Sequence, residues 1–200
     1  MGTRHLISVY VDGEVKMAQY GQWDGYPAGQ GSTVVAFLRE VDLDAFVAQA
    51  RKTRMVTPTA LKALWVAAGA DPDSDMVNMT VSDAFKEANP QLSRDSGAGT
   101  LPYIMLAEDP VVNVDSTSFA GDSLFCEYAY VIDLDSMTFE AYKGFINEPH
   151  SDGRFADLPY APPAHRKDQP REYWPVRLVG SWPIRDIPED WAEIVRPSRA

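Results

Sequence analysis

The densest group of side chains able to hold a ligand lies in a glycine-bearing segment near the N-terminus. Within eight residues it offers two amides, one carboxylate and two aromatic rings, carried by Gln19, Gln22, Trp23, Asp24 and Tyr26. Aromatic rings stack on a ligand, and a few well-placed polar groups orient it through hydrogen bonds. The spacing therefore predicts a ligand-binding loop. The alternative is a structural loop whose rings cover the core.

Nucleophilic and metal chemistry have few candidates. Cys126 is the only cysteine and lies in a strand-like run, which is typical of a buried thiol, so it serves as a nucleophile only in a hydrolase alternative. His5, His150 and His165 are too far apart in sequence for a local metal motif. The sequence contains no phosphate-binding, dinucleotide-binding or serine-hydrolase motif. We therefore predict no metal and no cofactor.

The charge is acidic and unevenly distributed. The chain carries a formal net charge of −11, and residues 108–148 contain nine acids against one base, Lys143. A negative protein is repelled by phosphate backbones, so nucleic-acid binding is not expected. The acidic stretch is either a solvated face or a surface that contacts a basic protein partner, and both interpretations stay open.

The elements that must position these groups begin with a β-hairpin within residues 1–31. Two strand-like runs, residues 5–11 and 14–20, flank Asp12-Gly13, which favours a tight turn because it accepts positive φ. Alternation along a strand places every second side chain on one face. The face expected to enter the core consists of His5, Ile7, Val9 and Val11. A glycine-rich loop completes this first unit.

Helices and a second hairpin are expected to follow. Apolar residues at helical spacing, with suitable caps, predict helices over residues 32–90. The remaining units are a second hairpin at 124–145, a long surface loop at 146–172, and a strand with a terminal helix at 173–195. This order predicts a single α+β domain over residues 1–200. Its mostly antiparallel sheet is built from two hairpins and a further strand, and helices cover it.

Length and composition indicate the class of protein. Two hundred residues, 45% hydrophobic and 24% charged, are typical of one globular domain. No run approaches the roughly 18 apolar residues of a membrane span. The first residues lack the pattern of a signal peptide, and one cysteine excludes an intrachain disulfide. We therefore expect a cytoplasmic protein without membrane contact, and leave its oligomeric state open.

The N-terminal segment GTRHLISVYVDGEVKMAQYGQ resembles the first hairpin of N-terminal-nucleophile hydrolases of the proteasome-like kind. The resemblance covers about 20 of the 200 residues and implies the layered fold of that family. It also implies that Thr3 becomes a terminal nucleophile whose own amine acts as the base. The chain departs from the family where its acid would fall, near Gln19 or Tyr20, and where its lysine would fall, near Val35 or Ala36.

Three stretches resemble a family of uncharacterised proteins found in bacteriophages and bacteria. They are GTRHLI, QYGQWDGYPAGQG and CEYAYVIDLDSMTFEAYKGF, about a quarter of the chain. The resemblance implies an accessory α+β protein of a phage or prophage, acting in the host cytoplasm if the phage encodes it. It assigns no catalytic residue.

Two functions follow from these patterns. The first is a non-catalytic binding protein that engages a host protein, basic in character, or a small ligand. The second is an amide-bond hydrolase of the N-terminal-nucleophile type that uses Thr3 or Cys126. The lack of a catalytic constellation in the sequence favours the first.

Overall fold

The structure, a computed structural model, describes residues 2–74, 76–159 and 171–196. The strands are β1 (His5–Val11), β2 (Glu14–Gly21), β3 (Arg54–Met55), β4 (Val112–Asn113), β5 (Tyr128–Asp133), β6 (Thr138–Lys143) and β7 (Arg177–Pro183). The helices are α1 (Ser32–Glu40), α2 (Leu43–Lys52), α3 (Pro58–Ala67), α4 (Met79–Ala88), α5 (Thr100–Leu106) and α6 (Trp191–Val195). No helix among these residues has the length and apolar character that crossing a membrane requires.

Among the described residues, the main sheet has five strands in the order β2-β1-β5-β6-β7. Three of its four pairings are antiparallel, and the pairing of β1 with β5 is parallel. The turn between β1 and β2 has φ of 57° at Asp12 and 72° at Gly13, as the hairpin motif predicts. The α+β fold with a mostly antiparallel sheet is thus confirmed. The sequence did not predict the parallel pairing of β1 with β5, because a hairpin motif specifies only contacts between strands that are neighbours in sequence.

Three helices begin where the sequence supplies a capping side chain. Oxygens of Asp42, Thr57 and Asn78 accept hydrogen bonds from the backbone N–H three residues later, at 3.1, 3.2 and 3.0 Å. These bonds satisfy donors that a helix start would otherwise leave unpaired. Pro58 opens α3, where a missing N–H costs no helical hydrogen bond. The capping pattern therefore explains where α2, α3 and α4 start.

Both faces of the sheet are buried, so β1 lies at the centre of the protein. Helices α1, α2, α5 and α6 cover one face, which receives Ile7, Val9 and Val11 from β1. Irregular segments cover the other face, which receives Leu6. The predicted core face of β1 is therefore buried as expected, and the opposite face is buried as well.

The segment that follows β6 contributes to the second core. The sequence predicts a surface loop over residues 146–172, of which 160–170 lie outside the described residues. Within the described part, Phe155 is 1% exposed, and its ring centroid lies 4.8 Å from that of Tyr142. The prediction of a surface position is therefore wrong for this part of the segment. Proline and aspartate indicate an irregular backbone but not exposure, and Phe155 is buried because it covers the apolar face of the sheet.

Replacing Val9 by aspartate tests the central position of β1. Val9 is fully buried, so Val9→Asp is expected to lower the free energy of unfolding by about 4 kcal/mol, because a buried charge loses its hydration. Urea unfolding measures the change. Ile194→Asp is the control, since Ile194 is 50% exposed and its replacement should cost little. Equal losses in the two variants would show that Val9 is not central.

Candidate functional site

The loop residues predicted to bind a ligand are split between the interior and the surface. Gln19 lies within β2 and is 2% exposed, and its amide donates to the backbone carbonyls of Ser93 (3.0 Å) and Tyr20 (3.1 Å). Gln22 is half-buried and accepts a hydrogen bond from the Tyr20 hydroxyl. The exposed members are Trp23, Asp24 and Tyr26. Gln19 therefore lies apart from the others, and a shared binding role for the five stays a prediction.

The loop after β2 is held by specific hydrogen bonds. The Gly25 N–H donates to the Thr3 carbonyl at 2.9 Å, and the Gly25 carbonyl accepts from the Tyr130 hydroxyl at 2.8 Å. The Trp23 indole N–H donates to the Asp95 carboxylate at 3.0 Å. These contacts tie the loop to the N-terminus, to the sheet and to the segment before α5, as the structural-loop alternative requires.

His5 fills the space beneath this loop. The side chain is buried, and neither ring nitrogen has a well-directed hydrogen bond among the described residues. A Cβ at Gly25 would lie 2.6 Å from the His5 Cβ, and one at Gly21 would overlap the imidazole, so glycine is required at both positions. Burial lowers the pKa of His5 from 6.5 to about 4, and the Thr3 carbonyl opposes that shift only in part.

The two candidate nucleophiles differ in environment. Cys126 is completely buried, and its Sγ donates to the Tyr128 carbonyl at 3.4 Å. Burial raises the pKa of this thiol far above its usual range, so the reactive thiolate does not form at neutral pH. Thr3 is half-buried just before β1. The Cys126 position argues against the hydrolase alternative, and the role of Thr3 stays a prediction.

A cavity of about 540 Å³ lies beside the loop, between β2 and the segment that follows β4. The segment is docked on β2 by two backbone hydrogen bonds, from Ala18 to Val114 (3.2 Å) and from Ser116 to Ala18 (2.9 Å). The cavity is lined by aromatic, acidic and hydroxyl side chains, namely Tyr20, Asp115, Ser116, Ser118, Phe119, Asp122 and Phe125. It therefore joins the end of the first hairpin to the acidic stretch.

Aromatic rings and carboxylates meet in this cavity. The rings of Tyr20 and Phe119 pack edge to face, with centroids 4.8 Å apart and planes at 84°. Asp115 Oδ1 accepts from the Thr117 N–H at 2.9 Å and from the Thr117 hydroxyl at 2.6 Å. No partner for Asp115 Oδ2 occurs among the described residues. The Thr117 contacts fix the carboxylate at the rim of the cavity.

Arg4, a base that lies beside the cavity, is already paired. The Arg4 guanidinium lies 4.9 Å from the ring centroid of Phe125, and its Nε lies 3.6 Å from Glu127 Oε1. The Arg4 backbone N–H donates to the same carboxylate at 3.1 Å. Glu127 therefore balances the charge of Arg4, while the Asp115 carboxylate, whose contacts are with Thr117, leaves a negative charge at the cavity lining. Such a lining suits a cation and disfavours an anion.

A cluster of ionic contacts surrounds Arg154 on the face of the sheet that carries Leu6, and its role is structural. Arg154 donates to Asp133 at 2.7 Å and to Glu140 at 2.6 and 2.9 Å, and its guanidinium lies 4.3 Å from the Tyr10 ring centroid. The Tyr142 hydroxyl donates to Glu140 at 2.6 Å. Burial, then Glu140, raises the pKa of Tyr142. Arg154 is bound by two carboxylates, so the cluster holds its segment onto the sheet.

The acids of residues 108–148 occupy separate environments. Asp135 accepts from the backbone N–H groups of Asp12 (2.7 Å) and Gly13 (2.8 Å), which ties the two hairpin turns together. Two other acids of the stretch line the cavity and two bind Arg154, as above. Glu127 and Glu148 pair with arginines, and Glu108 and Asp109 line a separate cavity near α5. Among the described residues, no group of three or more His, Cys, Asp or Glu could hold a metal ion.

Sequence reasoning missed the aromatic part of the cavity and the Arg154 cluster. Phe119 and Phe125 stand within the acidic stretch, and this mixture of rings and acids is the signal that could have identified them. Arg154 has no comparable signal, because its carboxylate partners lie 14 and 21 positions earlier in the chain.

Comparisons with known proteins add no family to this description. The chain matched no protein-family model, no curated protein and no solved structure. The function is therefore inferred from the geometry of the cavity and the charge of the molecule.

Acid is expected to destabilise the fold through His5. The unfolded chain binds a proton at His5 near pH 6.5, whereas the folded chain resists protonation down to about pH 4. The free energy of unfolding is therefore unaffected by His5 above pH 6.5. It falls by about 3 kcal/mol as the pH is lowered toward 4. Imidazole NMR shifts give the pKa directly, and His5→Asn should remove this part of the pH dependence. A pKa of His5 near 6.5 in the folded protein would contradict the buried position.

Proposed function

We propose that this protein is a non-catalytic binding protein whose cavity beside β2 takes an arginine or lysine side chain of a basic protein partner. One observation carries the proposal: aromatic rings and a carboxylate line the same cavity, from Tyr20, Phe119 and Phe125 on one hand and from Asp115 on the other. Aromatic faces attract cations, and carboxylates form strong charge-assisted hydrogen bonds with guanidinium and ammonium groups. The bacteriophage setting implied by the sequence resemblance stays a prediction.

The charge of the whole molecule supports a basic partner. The net charge of −11 attracts cations at long range and raises their association rate. Because exposed charges are screened over about 8 Å at physiological ionic strength, that rate should fall as salt is added. Long-range attraction would then bring the basic partner to the protein, and the cavity would bind one of its cationic side chains.

The chemistry of the cavity favours binding over catalysis. Ser116 and Ser118 supply hydroxyl groups, but a serine nucleophile needs an adjacent base such as histidine. No histidine lines this cavity among the described residues. The alternative thiol nucleophile, Cys126, is buried and protonated. The two serine hydroxyl oxygens can accept hydrogen bonds from a bound guanidinium or ammonium group without reacting with it.

Two cavity variants test this function with a defined probe, a fluorescein-labelled pentapeptide that alternates glycine and arginine. Asp115→Asn removes the charge but keeps the oxygen that Thr117 binds, and Phe119→Leu removes the ring but keeps an apolar side chain. Each change is expected to weaken the peptide's affinity by about fivefold or more, since each removes one attraction for the cation. Fluorescence anisotropy measures the affinity.

Asp109→Asn is the matched control for charge. Asp109 belongs to the same acidic stretch but lines a different cavity, near α5. Its loss should change the affinity by less than about twofold, as expected for a distant surface charge. Equal weakening by Asp109→Asn and Asp115→Asn would mean attraction by net charge alone. That result, or the absence of measurable peptide binding, would contradict the proposal.

A further inference from the structure

A second cavity, of about 510 Å³, lies at the C-terminal end of α5, and we call it the α5 cavity. A volume of this size is typical of a site for a small molecule. Four parts of the chain form its walls: helix α3, the turn that follows α4, the end of α5 and the segment that leads into β4. It is separate from the cavity beside β2, with which it shares no lining residue.

One side of the α5 cavity is apolar. It is formed by Leu64 of α3, Tyr103 and Leu106 of α5, and Val111. Val111 is 7% exposed and Leu106 is 80% exposed, so the apolar wall runs from the interior to the surface. A ligand with an apolar body would remove this exposed area from water, which favours binding.

The other side of the cavity carries two carboxylates. Glu108 and Asp109 follow α5 directly and line the cavity. Within the described part of the chain, neither carboxylate has a hydrogen-bond or ion-pair partner. No lysine, arginine or histidine of that part lines the cavity. The lining therefore carries a negative charge that the protein itself does not balance.

The segment that carries the two carboxylates is anchored on both sides. Before them, the Ala107 carbonyl accepts a hydrogen bond from the Gln49 side-chain amide of α2 at 3.3 Å. After them, the Val111 carbonyl accepts from the backbone N–H of Arg54 in β3 at 2.9 Å. The backbone on which the charges stand is therefore held against the fold.

The observation that indicates a ligand is an unpaired acceptor at Gln91. This residue lines the cavity and is only 8% exposed, and its Oε1 has no hydrogen-bond partner among the described residues. It belongs to a helical turn, Pro90–Leu92, closed by the bond from the Ser93 N–H to the Pro90 carbonyl at 3.1 Å. A buried amide oxygen without a donor costs free energy. The cavity is the space from which a donor can reach it.

We infer that the α5 cavity binds a small organic cation, an ammonium group attached to an apolar body. An ammonium group has three hydrogen-bond donors and no acceptor. It can therefore supply the donor that Gln91 lacks and pair with Glu108 or Asp109, while the apolar wall takes the body. An anion would be repelled by the two carboxylates, and a hydrocarbon would leave Gln91 without a donor.

This inference does not rest on the proposed function. The peptide of glycine and arginine has no apolar side chain for the wall of the α5 cavity, so the two sites are tested with different probes. Either site can fail while the other stands.

Titration of the full chain with hexylammonium, followed by amide ¹H–¹⁵N NMR shifts, tests the inference. Saturable shifts are expected at residues 89–91 and 106–112, with an affinity in the millimolar range. Ethylammonium should bind about tenfold more weakly, because four methylene groups fewer leave water. Hexanoate, which replaces the ammonium by a carboxylate, should not bind. Equal binding of hexylammonium and hexanoate, or no saturable shift at these residues, would overturn the inference.

Two charge variants and a matched control locate the site. Glu108→Gln and Asp109→Asn are each expected to weaken the affinity for hexylammonium, measured at residues 106–112, by about threefold or more. Both residues are exposed, so the variants should keep their fold. Asp115→Asn, in the cavity beside β2, should change this affinity by less than about twofold. A larger effect of Asp115→Asn than of both other variants would contradict a site at α5.

Gln91→Leu separates a binding role from a structural one. Leucine keeps an apolar side chain of similar size and removes the unpaired oxygen, so the melting temperature should not fall. The affinity for hexylammonium should nevertheless fall by about fivefold. An unchanged affinity in the folded variant would overturn the inference. If this variant does not fold, the two charge variants still decide, since their changes lie on the surface.

A free alkylamine and the N-terminus of a peptide share this chemistry, and one pair of probes distinguishes them. The peptide amide Leu-Gly-Gly carries its ammonium group beside an apolar side chain, and its N-acetyl form has no ammonium group. Binding of the free peptide that is tighter than that of hexylammonium, and lost on acetylation, would identify a peptide N-terminus. Weaker binding of the free peptide would identify a free amine. Equal binding of the free and acetylated peptides would contradict recognition of the ammonium group.

Discussion

The parallel pairing of β1 with β5 is the constraint on which the rest of the structure depends. It joins residues far apart in sequence, since His5 pairs with Tyr128. Closing so long a connection costs conformational entropy, and a parallel pair needs a crossover that passes over the sheet. After β2, the helical section and the part of the acidic stretch that precedes β5 together form that crossover. β1 has a hydrogen-bonded strand on each side and an apolar core on each face. Its side chains must therefore fit two cores at once, with Val9 packed in one and Leu6 in the other.

The same pairing creates the cavity. Where the chain returns to begin β5, it brings Glu127 against Arg4 and sets Phe125 beneath the guanidinium. The segment just before it runs along the edge of β2 and covers that edge with the backbone bonds at Ala18. An exposed strand edge would otherwise offer unpaired groups to other chains. Covering the edge also brings the acids and rings of the crossover against Tyr20, so the candidate site is a consequence of the topology.

Local chemistry could be predicted from the sequence because it depends on neighbouring residues. The turn at Asp12-Gly13, the start of α3 at Thr57-Pro58 and the buried face of β1 are all of this kind. The failures have a shared physical cause, since each involves a contact distant in sequence. Gln19 is polar and close to the glycine-rich loop, yet β2 continues through it and turns it toward Ser93. Arg154 stands in a stretch without periodicity, and only the folded sheet brings its two carboxylates within reach.

Intermolecular NOEs between the arginine peptide and the protein test the cation site most directly. The account expects contacts from the arginine side-chain methylene protons to the ring protons of Tyr20 and Phe119, the two rings that pack edge to face at the cavity. At the same peptide concentration these contacts should be clearly weaker in Asp115→Asn, which keeps both rings. Contacts confined to other acidic positions, such as Glu108 and Asp109, would contradict the account, because they would place the peptide on the surface charge and outside the cavity.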